Sequence, residues 1–251
     1  LSQPIQLVKG EAFELQKHEF NYPGFGDHLK PGDKVYANDS IYEFEVLDIT
    51  NGTVRFKSLS DGSLLNNKGM HVHGIHKDIP FLFDHDKELI AASLEENIDI
   101  ISLSFVRNAD DIKTVKKIIE ENGRATPELF AKVETAAAVD NLAYIFEEVD
   151  TINVDRGDLS TDVGILKIAN VTERIVQSAR RAEKRVFLAT QFLKYMEENP
   201  IPTISEIVNL HDAVRLGISG IQLSEETAVG KHPVNCVKLV FDVYKNSFSG
   251  Y

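Results

Sequence analysis

From residue 80 onward, short apolar runs of strand character alternate five times with amphipathic helical runs, and no other feature restricts the fold so tightly. IDIISLSF, ELFAKVE, TINVDRGD, RVFLATQ and GIQLSEE read as strands. The helical stretches that follow them are ADDIKTVKKIIEENG, TAAAVDNLAYIFEEV, VGILKIANVTERIVQSARRAE, SEIVNLHDAVRLG and a last one over about 232–248, while DHDKELIAASLEEN forms a helix before the first strand. Strands this short and apolar suit a parallel sheet covered on both faces, and helices are the crossovers that parallel strands require. Regular alternation of this kind leaves a doubly wound sheet or a (β/α)8 barrel. No G-x-G-x-x-G follows a strand, which counts against the dinucleotide-binding version of the first.

Each strand also ends in polar residues: Ser104 and Arg107, then Lys132 and Glu134, Arg156 and Asp158, Thr190 and Gln191, and finally Ser224, Glu225, Glu226 and Thr227. Polar endings on successive strands favour the mouth of a barrel, where such folds carry their chemistry. Five units do not close eight strands, so the expected fold is α/β, an incomplete (β/α)8 TIM-type barrel of about five βα units.

Before residue 80 the texture differs. The β-rich runs DKVYAND, YEFEVLDI and TVRFKSLS are separated by turn pairs at Pro31-Gly32, Asn51-Gly52 and Asp61-Gly62. Asn-Gly between strands is a strong hairpin signal. This half reads as a small antiparallel unit over about 10–74, with FNYPGFGDH as loop, and the boundary falls near Ile79-Pro80: residues 1–78 form a β-rich domain and 79–251 a partial barrel. His71, His73 and His76 invite a metal reading, since the first two share a strand face, but sequence puts no acidic or cysteine partner beside them.

Composition narrows the function. The net charge of −12 and the lack of a basic run argue against nucleic acid or an anionic membrane as partner. One cysteine, Cys236, cannot form an internal disulfide, and its place in VNCVKLVFDVY marks it as a packed core residue. A reducing cytoplasm is the expected compartment. No run approaches the ~20 apolar residues of a membrane span, and no signal peptide is visible.

The stretch from Phe130 to Ser160 holds the chemistry. Side chains two apart on a strand share a face, so Lys132 pairs in direction with Glu134, and Arg156 with Asp158. Adjacent parallel strands would bring all four to one end of the sheet. Two carboxylates beside a lysine and an arginine suit a divalent metal and an anionic substrate. A structural layer of salt bridges is the competing reading.

Six spaced strings (SFVRNADDI, AKVETAAAVDN, INVDRGDLS, FLATQFLKYM, NPIPT and LSEETAVGKHP) resemble, in order, the barrel segments of the pyruvate kinase family. KVYANDSIYEFEV and LLNNKGMHVHGIHKDIPFL are similar to its mobile cap domain and the return into the barrel. The resemblance implies an inserted antiparallel β cap on two connections, near Val8 and Ile79, hinged over the barrel mouth. It also implies phosphoryl transfer between phosphoenolpyruvate and a nucleotide. Glu134 and Asp158 would hold Mg2+ or Mn2+. Lys132 would offset charge on the transferring phosphoryl group, and Thr190 would lie beside the methylene carbon of the substrate. The amides around Arg156, Gly157 and Asp158 would hold the substrate carboxylate, with Arg107 and Ser104 in support. Asp39 and Lys68 match cap residues that act on nucleotide.

Departures from the family pattern accompany these matches. Nothing corresponds to its phosphate-binding arginine or its K+ site, and LSQPIQLV carries Gln6 where an arginine is usual. Glu225 and Ser160 stand for glycines, Ile204 replaces an arginine associated with the subunit interface, and HVHG replaces N-L-P-G. The C-terminal regulatory domain is not seen, and homo-oligomerisation is left open. Two further functions therefore stand beside the kinase: a metal-dependent lyase or tautomerase acting on pyruvate enolate, and a non-catalytic homologue.

Overall fold

The computed structural model describes residues 3–247 apart from 23, 39, 67, 73–78, 97 and 123–125. It divides into two compact units, Leu1–Phe81 and Leu82–Tyr251.

The first unit contains β1 (Ile5–Leu7), β2 (Ala12–Leu15), β3 (Lys34–Ala37), β4 (Tyr42–Thr50), β5 (Thr53–Ser58), β6 (Gly62–Leu64) and β7 (Met70–Val72). Five of these form an antiparallel sheet in the order β2-β5-β4-β3-β7, and β1 pairs with β6 separately. Asn51 and Gly52 link β4 to β5 with φ of 53° and 79°. Two left-handed residues in succession match the twist of a tight hairpin, which is why Asn-Gly marks it. Alternation then sorts the faces: Val35 and Ala37, Phe44 and Val46, and Val54 and Phe56 are all buried in one cluster with Leu15, Phe25 and Leu29. The Phe13 ring lies edge-on to Phe44 at 4.9 Å and stacks on Phe56 at 5.4 Å.

Two expectations for this unit need correction. Gly62 is not a turn residue; it opens β6, where a Cβ would run into the Tyr42 ring. Nor does the chain leave the unit near Val8, because β1 on one side and β2 on the other both belong to it. His71 is buried in β7 opposite Tyr36, while His73 and His76 lie outside the described residues.

The second unit runs α1 (Asp84–Glu95), β8 (Ile100–Leu103), α2 (Ala109–Glu121), β9 (Glu128–Val133), α3 (Ala136–Asp140), α4 (Leu142–Glu148), β10 (Thr151–Asp155), α5 (Arg156–Val163), α6 (Ile168–Arg181), β11 (Arg185–Ala189), α7 (Ile204–Leu216), β12 (Gly220–Gln222), α8 (Glu225–Ala228) and α9 (Pro233–Ser247). The five strands form one parallel sheet in sequence order, β8 to β12. Sequence order with helical crossovers is the α/β alternation expected. The helix expected across TAAAVDNLAYIFEEV breaks at Asn141, whose side-chain amide donates to the carbonyls of Arg107 and Ala137.

Parallel register decides which residues share a face. Ala131, Val133, Ile152, Val154, Val186 and Leu188 alternate onto one face and are buried, together with Ile112, Val115, Ile119, Ile145, Ile175 and Val176 of the helices. The other face carries Lys132, Asn153 and Phe187 in one row, because Asn153 is paired with both neighbours. Asn153 donates its side-chain amide to Gln222 across that face. Gly220 lies opposite Phe187, and a Cβ there would strike the ring. Helix ends are fixed locally: Asn108 accepts the N–H groups of Asp110 and Asp111, and Thr203 and Glu206 form a reciprocal cap on α7. No helix among the described residues is long and apolar enough to cross a membrane.

Candidate active site

The polar groups that end successive strands meet at the carboxyl edge of the parallel sheet. Glu134 directly follows β9, Asp155 is the last residue of β10, and Asp158 lies in the first turn of α5. Each offers one carboxylate oxygen, and these oxygens lie within 4.8 Å of one another. Lys132 sits among them, its Nζ 2.5 Å from Glu134 Oε1 and 3.2 Å from Asp155 Oδ2. Glu134 is 1 % exposed and also accepts the Phe105 N–H at 2.5 Å through Oε2. Phe105 reaches it from a left-handed φ of 54° at the end of β8.

Burial sets the electrostatics. Loss of water pushes the Glu134 carboxyl up to about 7, against the pull of the Lys132 charge, with the Asp158 charge adding to the rise. Burial alone would lower Lys132, but the charges and hydrogen bonds of Glu134 and Asp155 outweigh it, so the ammonium is held above its ordinary value. Three hard oxygen donors in a pocket of net negative charge suit a small divalent cation. Lys132 supplies positive charge at the same place for an anionic group. The donor set therefore fits Mg2+ or Mn2+.

Arg156 and Asp158 do not extend a strand together, as their spacing suggested. The chain turns into helix at Arg156, so the two side chains follow helical directions, and the strand-end carboxylate is Asp155 instead. Arg156 is turned to the segment after β11: it donates to Asn209 Oδ1 at 2.9 Å and to the Thr190 carbonyl at 2.6 Å, and stacks 4.1 Å over the Phe192 ring. Burial lowers its pKa to about 10, which leaves it charged at neutral pH. Those contacts hold Thr190 and Gln191 at φ of 66° and 53°, a costly conformation for residues with side chains. Thr190 Oγ1 in turn accepts the Gly157 N–H at 2.9 Å, joining it to the start of α5. A helix start leaves N–H groups without intrahelical partners, and here the threonine takes one of them.

The other residues singled out in the sequence are Arg107, Lys68, Asp39 and Cys236. Arg107 is held by Asp111, with Nη2 2.7 Å from Oδ1, so its guanidinium braces the start of α2. Lys68 is exposed just before β7, in the first unit. Asp39 lies outside the described residues. Cys236 is fully buried in α9. Sequence reasoning passed over Asp155, although β10 alternation puts it on the same face as Asn153, whose register partner is Lys132. It also passed over Asp162, which accepts the Ala136 N–H at 2.6 Å and so fixes the turn after Glu134. Nothing in the spacing of Asp162 signals that role.

A family described as "Pyruvate kinase, barrel domain" matches residues 6–237. Among curated proteins, the chain is 30 % identical to a pyruvate kinase of Aeropyrum pernix over 98 % of its own length and 55 % of that protein. It is 29 % identical to one of Thermotoga maritima over 97 % of its length and 54 % of the relative. A pyruvate kinase of Naumovozyma castellii is 30 % identical over 88 % of the chain and 44 % of the relative. The chain thus spans about half the length of the curated relatives it matches. With a family match running through both of its units, the chain belongs to the pyruvate kinase family.

Proposed function

We propose that this chain carries the metal and phosphoryl-handling part of a pyruvate kinase, which transfers the phosphoryl group of phosphoenolpyruvate to ADP. The observation that carries this reading is the convergence of Glu134, Asp155 and Asp158 on Lys132 at the carboxyl edge of the sheet. The five βα units would then be part of a (β/α)8 barrel, and residues 1–78 its cap. When bound, Mg2+ or Mn2+ on Glu134 and Asp158, with Asp155 beside them, would offset negative charge on the pyruvate oxygens. Lys132 would neutralise the transferring phosphoryl oxygens, for which positioning and electrostatics supply most of the catalysis. Thr190, held by Arg156 and by the Gly157 amide, would stand at the methylene carbon that gains a proton as pyruvate forms. First-turn amides of α5 would orient the substrate carboxylate, while Lys68 and Asp39 would act on the nucleotide. Cytoplasmic glycolysis is the setting this reading implies.

A second reading, enolate chemistry on pyruvate without nucleotide, is favoured by one observation: Glu134, Asp158, the start of α5 and Thr190 all lie between the end of β8 and the residue just after β11. The deciding experiment is a coupled ADP-to-ATP assay beside NMR detection of deuterium entering the pyruvate methyl group. For the 251-residue chain we expect exchange with little ATP formed. Exchange lost in Glu134→Gln supports the shared metal site, robust ATP formation makes the chain a complete kinase, and the absence of both favours a non-catalytic homologue.

A further inference from the structure

A second group of carboxylates lies away from Lys132. Glu197 closes the single 3-10 turn Lys194–Glu197 that follows β11, and Glu225 and Glu226 open α8 after β12. One oxygen from each of the three lies within 4.8 Å of the others. Acidic residues gather on many protein surfaces without a ligand, but Glu226 is not a surface group: it is 2 % exposed. Its Oε2 accepts the Ser224 N–H at 3.1 Å, and its Oε1 has no hydrogen-bond partner among the described residues. A buried carboxylate oxygen without a partner is costly unless a cation or proton satisfies it. Within the cluster, Lys194 Nζ lies 2.6 Å from Glu197 Oε1.

The geometry points to a second divalent-cation site made by Glu197, Glu225 and Glu226. The donors are all carboxylate oxygens, which selects a hard cation over zinc or copper. Calcium binds oxygen at about 2.3–2.6 Å, so two opposite ligands stand about 5 Å apart, close to the observed spread. Magnesium, at about 2.0–2.1 Å, would need the cluster to draw in. Calcium is therefore the better fit, with water completing its shell. A cation there ties the segment after β11, which begins with the strained Thr190-Gln191 turn, to the segment after β12. It would brace two adjacent loops at the carboxyl edge of the sheet, and it does not depend on the pyruvate kinase reading of the first cluster.

The test is calorimetric titration of CaCl2 into the 251-residue protein, in the wild type and in Glu134→Gln, Glu225→Gln and the double variant. Glu225 is exposed, so its replacement leaves the fold intact, and circular dichroism checks this. Glu134→Gln should still bind one Ca2+ with a Kd at or below ~1 mM, the weak end of calcium modules. Glu225→Gln should raise that Kd at least tenfold, and the double variant should bind none. Glu198→Gln, which removes a neighbouring acid outside the cluster, should change nothing. A flat titration of Glu134→Gln overturns the proposal. So does an isotherm that Glu225→Gln leaves unchanged, or one that Glu198→Gln weakens equally, since the last would be counter-ion accumulation around acidic residues.

Discussion

The two units bury apolar surface by the same alternation and use it differently. In the first, the inward residues of β3, β4 and β5 meet Leu15, Phe25 and Leu29 and close a core of their own. In the second, helices cover one face of the sheet, and the other face carries Lys132 and Asn153, leading to Asp155 at the strand end. A parallel sheet held rigid by its apolar face can present charged groups on the opposite face and at its carboxyl edge. The antiparallel unit uses its alternating residues for packing, and the polar side chains it buries, Ser58 and His71, stand apart from any charged cluster among the described residues. The buried carboxylates that cluster with Lys132 therefore lie where strands give way to loops in the second unit.

The largest effect that would break this contrast is on metal binding. Glu134→Gln and Asp158→Asn should each abolish oxalate-dependent Mn2+ binding, read by electron paramagnetic resonance, while circular dichroism stays unchanged. Retained affinity in both variants would mean that the carboxylates form only a salt-bridge layer with Lys132. Next in size are the two cores. Phe56→Ala in the first unit should cost about 3–5 kcal/mol, and Ile145→Ala in the second about 2–5 kcal/mol, since both side chains are fully buried. Amide hydrogen exchange would locate each loss. Protection falling equally in both units after either substitution would break the description of two separate cores.

Much of this contrast can be read in the sequence. Strand-helix alternation gave the parallel order, and Asn51-Gly52 gave its hairpin, because both signals act within a few residues. Glu134 and Lys132 were legible for the same reason, as strand neighbours two apart. Asp155 was not, because the chain passes from strand to helix at Arg156, and a run such as NVDRGD does not say where that change falls. The work of Arg156 was hidden as well: its partners Thr190, Asn209 and Phe192 are 34 to 53 residues away. Long-range contacts of that kind leave no periodicity. The buried oxygen of Glu226 is likewise a property of packing, not of LSEET as a string.

The protonation of Glu134 sharpens the contrast by pH. Its carboxyl is pushed up to about 7 by burial, so below that value it holds a proton that a metal ion must displace. Mn2+ affinity should therefore fall as pH drops below about 7, approaching tenfold per pH unit where one proton is released per ion bound. The sign is opposite to that of a stability effect from the same group. A carboxyl raised on folding keeps its proton better in the folded chain, so without metal the second unit should lose stability as pH rises from about 4.3 toward 7. Titrations of Mn2+ at pH 6, 7 and 8 separate these trends, and a flat profile would show that Lys132 keeps Glu134 ionised throughout.

The smallest expected effect tests whether the site rests on the helix starts around it. Asn108 caps α2 by accepting the N–H groups of Asp110 and Asp111, at 2.9 and 3.2 Å. Arg107, one residue earlier, is fixed to Asp111 and gives its carbonyl to Asn141, where α3 ends and α4 begins. The cap thus anchors the segment that leaves β8 through Phe105, whose N–H reaches Glu134. Asn108→Ala should cost about 1 kcal/mol of stability, the usual value of such a cap, and Asn108→Asp should restore most of it. If the segment is only scaffold, metal affinity will be unchanged in both variants. If it positions the Phe105 amide, Mn2+ affinity will fall with Asn108→Ala and return with Asn108→Asp, because a carboxylate freed from that hydrogen bond takes up its proton more readily. Equal loss of affinity in both variants would show that neither cap chemistry nor the Phe105 contact governs Glu134.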